Sequence, residues 1–235
     1  MEIVDKHNKG NGMLKFLVEF GKGVGFFTLG IILLPIFIID GVVTKINSKT
    51  KHIIILGSKG SGKTTLWNLL QNKITEKEPL PTDKEPIESF KIDVGEKKVR
   101  ISSTKDIGGG DDWVKDYDEI IKADGTFIFY LVDLVNLHER GKKEEIRARL
   151  RKISSIIKDK KLKDCGCNII ATNYKLYKDK GLELKYGTPA SFVKKVLRLH
   201  TMDKLSMKIN EFVTPVELME DKDIENIKKQ IMQIK

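Results

Sequence analysis

An α/β fold is what this sequence predicts: a mostly parallel central sheet flanked by helices, preceded by an N-terminal membrane helix. Three observations lead to it. Residues 52–56 (HIIIL) form a short apolar, β-branched run that leads straight into a glycine-rich turn and then a helical stretch. Two more such runs, 126–132 (TFIFYLV) and 168–172 (NIIAT), are separated by an amphipathic helical pattern near 142–158. Apolar runs without polar alternation mark strands buried on both faces, the usual condition of parallel sheets. The third observation is a charge-free stretch, 23–39, ahead of all of these.

Composition narrows the class. Of 235 residues, 32% are charged and 40% hydrophobic, so neither a wholly disordered chain nor a polytopic membrane protein fits. Lys and Arg number 43 against 33 Asp and Glu, a net charge of +10. The excess is spread along the chain, which suits attraction to anionic membrane surfaces or to phosphates. With two cysteines, Cys165 and Cys167, a disulfide-stapled secreted domain is excluded and a reducing compartment is expected.

The charge-free stretch, extended to 23–43, is long enough for a transmembrane helix. Its 21 residues rise about 31 Å at about 1.5 Å each, against a hydrocarbon core of about 30 Å. A helix in lipid satisfies its own backbone, and Pro35 is tolerable there as a kink. A shallow interfacial helix and a soluble core helix are the alternatives. A signal peptide fits poorly, because no small-residue cleavage site follows. Residues 1–22 then read as an N-terminal cap, 44–51 as a linker, and 52–235 as the domain. Lysines flank the stretch on both sides, so charge does not orient it. The nucleotide chemistry downstream places the domain in the cytoplasm.

After the first apolar run comes Gly57-Ser58-Lys59-Gly60-Ser61-Gly62-Lys63-Thr64, filling every fixed position of GxxxxGK[ST], with Thr65 continuing into a helix. The spacing has a physical reason. Glycines let successive backbone N–H groups turn inward around phosphate oxygens, and the helix N-terminus adds partial positive charge. Lys63 is placed to reach the β and γ phosphates, and the Thr64 hydroxyl to ligate Mg²⁺.

Its companions follow in order. Pro81-Thr82 lies in a loop. Residues 90–94 and 99–103 alternate as a hairpin around Gly95-Glu96-Lys97, then run into Asp106-Ile107-Gly108-Gly109, a DxxG. Taken alone, Thr82 reads as well as a solvent loop residue and Asp106 as a turn former.

With GSKGSGKT, PT, DIGG and then FYLVD at 129–133 in this order, the chain resembles the Ras superfamily, closest in look to Arf-like small GTPases. The resemblance covers roughly 52–235. It implies GTP/GDP and Mg²⁺ as cofactors, with sites at the carboxyl ends of the strands. It makes Thr82 a switch threonine closing on Mg²⁺, Asp106 a Mg²⁺ holder through water, and Gly109 the amide that meets the γ-phosphate. It also implies a protein effector or regulator at the switch surface. A membrane segment followed by such a domain is similar in layout to the signal recognition particle receptor beta subunit.

Three departures qualify the resemblance. Gly110 stands where the family places a water-orienting glutamine, so hydrolysis is expected to be slow or partner-dependent. In place of NKxD the chain has Asn173-Tyr174-Lys175-Leu176; Asn173 and Lys175 fit the pattern, but Leu176 cannot accept hydrogen bonds from guanine. The final SAK-type loop is absent, with residues 212–215 (FVTP) in its region. Lys59 inside the loop either points to solvent or leans over the γ-phosphate and joins Lys63 in catalysis.

Other features read as structural. Cys165 and Cys167 lack the partners a zinc site needs. The run 142–152, with Arg147, Arg149 and Arg151, reads as a solvated helix face; without interleaved aromatics it does not indicate nucleic acid. Asp133 and Asn136 read as caps after the strand. Ile224, Ile227, Ile231 and Ile234 fall at helical spacing in a closing helix. The expectation is a membrane-anchored GTP-binding switch. A nucleotide-holding scaffold without turnover and a P-loop ATPase are the alternatives.

Overall fold

Strand β1 (Ile53–Gly57) is buried at every residue, as its unbroken apolar run requires. It pairs in parallel with β6 (Phe127–Asp133), Ile53 opposite Phe127, and β6 pairs in parallel with β7 (Gly166–Thr172). Two short strands lie along β7, also parallel: β8 (Lys208–Ile209) at Gly166 and Cys167, and β9 (Thr214–Pro215) at Ile170 and Ala171. This is a computed structural model, describing residues 50–73, 83–198, 208–209 and 213–234. The 23–43 stretch and Thr82 lie outside them. Among the described residues, no helix is long and apolar enough to cross a membrane.

The remaining strands form two antiparallel pairs. β2 (Lys84–Ile87) pairs with β5 (Thr104–Ile107), and β3 (Phe90–Val94) with β4 (Lys97–Ile101). The hairpin is tighter than expected: Gly95 and Glu96 alone make its turn, and Lys97 already pairs with Val94. Gly95, at φ +60°, supplies the left-handed first position that a two-residue turn of this kind needs. Lys51 ties the pair to the sheet, donating its N–H to Arg100 O at 2.8 Å and accepting from Ser102 N at 3.0 Å.

Helices cover both faces of the sheet: α1 (Lys63–Leu70), α2 (Tyr117–Ile120), α3 (Lys142–Asp159), α4 (Tyr174–Asp179), α5 (Leu182–Tyr186), α6 (Pro189–Leu197) and α7 (Asp221–Gln233). Alternate strand residues feed two cores. Ile54, Leu56, Ile128 and Tyr130 face α3 and α6. Ile53, Ile55, Phe129 and Leu131 face α1 and α7, where Trp67 is fully buried and meets Phe90 edge-on at 6.3 Å. In α7, Ile224, Ile227 and Ile231 are buried as their spacing predicts, and Ile234 packs beside them just past the helix end. Burial of each such side chain contributes about 1.5–3 kcal/mol, so this two-sided core holds the ends of β1, β5, β6 and β7 in place.

Candidate functional site

The chain leaves β1 at Gly57 under tight constraint. A Cβ there would sit 2.5 Å from Leu131 O on the neighbouring strand. At Gly62, just before α1, a Cβ would sit 2.3 Å from Leu218 Cδ1, so Leu218 forms a wall of the loop. Between them the loop is held from inside. Ser61 N donates to Ser58 O at 3.3 Å, and Ser61 O accepts from the buried Thr172 hydroxyl at 3.1 Å.

Lys63 crosses beneath this loop, buried, its Nζ 3.0 Å from Ser58 O. Burial lowers its pKa from 10.5 to about 8; Asp106 and Glu145 pull it upward and Arg149 downward. A cation held out of water in this way gains from an anion brought beside it. Thr64, half-buried at the start of α1, donates its hydroxyl to Asp106 Oδ2 at 2.7 Å. The other carboxylate oxygen, Asp106 Oδ1, is buried without a hydrogen-bond partner. Burial raises the Asp106 pKa, against the pull of Thr64 and Lys63. An orphaned carboxylate oxygen beside a hydroxyl fits a hard cation. Mg²⁺ needs only one or two protein ligands when phosphate and water supply the rest. Among the described residues no larger His/Cys/Asp/Glu group exists to hold a metal.

The DxxG segment closes onto the loop. Gly109 is buried so near it that a Cβ would lie 2.3 Å from Lys59 N and 2.4 Å from Ser58 C. Its neighbour Gly108 donates its N–H to Asp83 O at 2.9 Å. Gly110 is half-buried and begins a short 3₁₀ turn, Asp111–Asp116. The Lys59 side chain is exposed, while its backbone packs against Gly109. Thr65 is half-buried in the first turn of α1, and Gly60 is exposed at the loop tip.

Arg149 overturns the expectation of a solvated helix face. Its side chain is 4% exposed and points at the site. Nη1 donates to Gly109 O at 2.8 Å, and Nη2 meets Asp111 Oδ1 at 2.8 Å and Glu145 Oε1 at 2.9 Å. Glu145 in turn accepts from Ser58 Oγ at 2.9 Å. One buried guanidinium thus joins α3, the phosphate loop and the DxxG segment. The signal was in the spacing: Arg149 falls with Ile146, Leu150 and Ile153 on the apolar stripe of α3. Asp133 caps as expected, accepting from Val135 N at 2.9 Å and Asn136 Nδ2 at 2.6 Å.

The base side is built differently. β7 ends at Thr172, and Asn173, half-buried with φ +61°, opens α4. Lys175 and Leu176 are exposed on that helix. The loop after β9 crosses here: Val216 N donates to Ala171 O at 2.8 Å, and Glu217 Oε2 accepts from Lys175 N at 3.2 Å. Glu217 is itself held by its own N–H, which donates to Asp223 Oδ2 at 2.8 Å. Neither Glu217 nor Leu218 was singled out by sequence, because the residues they meet here, Lys175 and Gly62, lie over forty positions away.

A glycine loop at the end of a buried parallel strand, a buried lysine beneath it, and a threonine–aspartate pair beside it define a P-loop nucleotide-binding fold. The chain belongs to the Arf: ADP-ribosylation factor family, whose profile matches residues 39–233. Its fold is shared with the Arl6 BBS3 small GTPase from Trypanosoma brucei with bound nucleotide analogue GppNp. That match is 11% identical with TM-score 0.52, covering 79% of this chain and 96% of that one. A Methanosarcina barkeri Roco2 RocCORdC structure bound to GDP matches at 15% identity and TM-score 0.48, over 79% of this chain. The match spans half, 50%, of the Roco2 chain. No curated protein matches the sequence significantly.

Proposed function

We propose that this Arf-family small GTPase is a membrane-anchored, GTP-dependent switch with weak or partner-dependent hydrolysis. The observation that carries it is the joining of three parts: Lys63 under the loop, Thr64 on Asp106, and Gly109 against Ser58 and Lys59. In this reading, loop amides from Ser58 to Thr65 and the Lys63 ammonium hold the phosphates. Thr64 and Asp106, joined by Thr82 when triphosphate is bound, would hold Mg²⁺, which would supply charge neutralisation at the phosphoryl oxygens. Gly109 offers its amide to the terminal phosphate and is held in place by Arg149. A triphosphate therefore bears on the Gly109–Asp111 segment and on Asp83 through Gly108, and these surfaces answer to a protein effector or regulator.

Guanine selection falls to Asn173, Lys175 and Glu217. Guanine presents two donors, N1–H and the 2-amino group, and a carboxylate accepts both. Leu176 has none to offer, whereas Glu217 stands at the start of α4 beside Lys175. Adenine presents an acceptor at N1 and is rejected by the same group. Residues 23–43 supply the anchor in membrane lipid and hold the domain on the cytoplasmic side. Gly110 orients no water, and in this reading Lys59, exposed in the phosphate loop, assists in its place. Replacement of Lys59 by Ala should slow single-turnover hydrolysis; an unchanged rate removes it from catalysis.

A scaffold that holds nucleotide without turnover is the second reading, favoured by Gly110 and by the Arg149 tie that pins the Gly109–Asp111 segment. Titration of GTP, GDP, ATP and XTP with and without Mg²⁺, followed by single-turnover hydrolysis, separates the two. Tight guanine binding without measurable hydrolysis selects the scaffold, and adenine preference overturns both.

A further inference from the structure

Away from the phosphate loop, the start of α3 and helices α5 and α6 enclose a groove of about 860 Å³. Its floor is apolar: Leu137 and Phe192 are buried, Tyr186 and Val196 half-buried. Three rings run from core to surface across it. His138 stacks on Tyr186 at 6.0 Å and 24°, and Tyr186 on Phe192 at 4.9 Å and 22°.

The rim is basic. Arg140, Lys143, Lys185, Lys195 and Arg198 stand around the floor, against two acids among the described residues, Glu139 and Glu144. Glu144 is already engaged by Lys143 at 3.6 Å. Arg147 serves the walls, donating to Val196 O at 2.6 Å and Leu197 O at 3.2 Å, which ties α3 to the end of α6. Arg140 and Lys195 are exposed and form no ion pair among the described residues. None of these side chains takes part in the nucleotide site.

We propose that this groove docks an acidic segment of a partner protein, which seats one apolar side chain on the Tyr186–Phe192 floor. The arrangement is that of a protein interface: an apolar, aromatic centre inside a charged rim that steers and selects the partner. A bilayer is flat and cannot fill a concave floor. A small phosphate needs donors converging in a dry pocket, whereas Arg140, Lys143 and Lys195 are exposed on the rim and Lys185 lies over the Tyr186 ring at 5.0 Å. The groove's identity does not rest on the switch reading.

The test is selection of displayed random peptides on the full chain in mild detergent, followed by affinity measurement of the selected sequence as a synthetic peptide. Winners should carry Asp or Glu around a Leu, Ile or Phe, and bind less tightly as salt rises. Combined Arg140→Glu and Lys195→Glu, both at exposed positions, should weaken that peptide about tenfold or more, with nucleotide affinity unchanged. Winners without net negative charge, or an affinity indifferent to the charge reversal, overturn the proposal. So does displacement of the peptide by inorganic phosphate, which assigns the groove to a small anion, or by phosphatidylserine vesicles, which assigns it to a membrane.

Discussion

Around the phosphate loop, Lys63, Thr64, Asp106 and Gly109 come together; beside Asn173, the NKxD pattern is broken and Glu217 and Leu218 lie close by. Gly57 to Thr64 close around Lys63 as their spacing foretells, and Asp106 and Gly109 arrive from β5 to meet them. Beside Asn173, by contrast, Leu176 is exposed and useless to a base, while Glu217 and Leu218 arrive from the loop after β9. The difference has a cause. A phosphate is held by backbone amides and one cation, which only a fixed local turn can supply, so the sequence there has little freedom. A base edge needs one acceptor of suitable shape, and any loop that reaches the spot can carry it.

This comparison is broken most directly at Lys63. Lys63→Ala removes the buried cation, and triphosphate affinity should fall by about a hundredfold or more, since truncating one partner of a desolvated charge contact costs about 2–5 kcal/mol. Calorimetric titration reads it; a loss under threefold would mean that the loop amides alone hold the phosphates. Next comes Arg149→Met, which leaves Gly109 O and Glu145 without their buried partner. Unfolding free energy should drop by about 3–5 kcal/mol. Arg149→Lys should recover only part of it, because an ammonium cannot reproduce the planar fork. Denaturant midpoints at constant m-value decide this one.

The base side is sharpened by Glu217→Gln. Guanine affinity should fall about ten- to a hundredfold, the range for a hydrogen bond to a charged group, while phosphate-dependent binding persists. An amide can also donate to the 2-oxo group of xanthine, so XDP should gain relative to GDP; equal loss for all bases would remove Glu217 from base reading. A smaller effect is expected at Asp106→Asn. Burial raises this carboxyl's pKa, so the folded state holds its proton more tightly and stability falls as pH rises above the ordinary carboxylate range. The variant should be about 1 kcal/mol more stable without nucleotide, yet lose Mg²⁺-dependent binding. A melting temperature that drops instead would show that the Thr64–Asp106 bond outweighs the burial.

A separate effect is one of pH. Lys63 titrates at about 8 when folded and at 10.5 otherwise, so between these values the unfolded chain binds more protons. Stability of the nucleotide-free protein should therefore rise with pH across that window. Thermal melts of the protein against Lys63→Met show it as a difference that is absent from the variant. Bound triphosphate should abolish the rise by holding the ammonium charged.

Legibility in the sequence followed the range of the contacts. Strands β1, β6 and β7 and helix α7 could be read because apolar period and length are local properties. The hairpin's existence was readable, but its second strand runs from Lys97 to Ile101 instead of 99–103. Arg149 was misread although its spacing placed it on the apolar stripe: a charged residue in a charged run outweighed its position. The groove between α3 and α6 was not readable, since its basic residues come from three separate segments and only packing gathers them.

Order along the chain thus settled the fold class and the phosphate loop, because strand, glycine turn and helix start are each dictated by neighbours a few residues apart. Tertiary packing alone brought Asp106 to Thr64 and Glu217 to Lys175. Both depend on segments forty or more residues distant, brought into reach only when helices and loops settle on the two faces of the sheet.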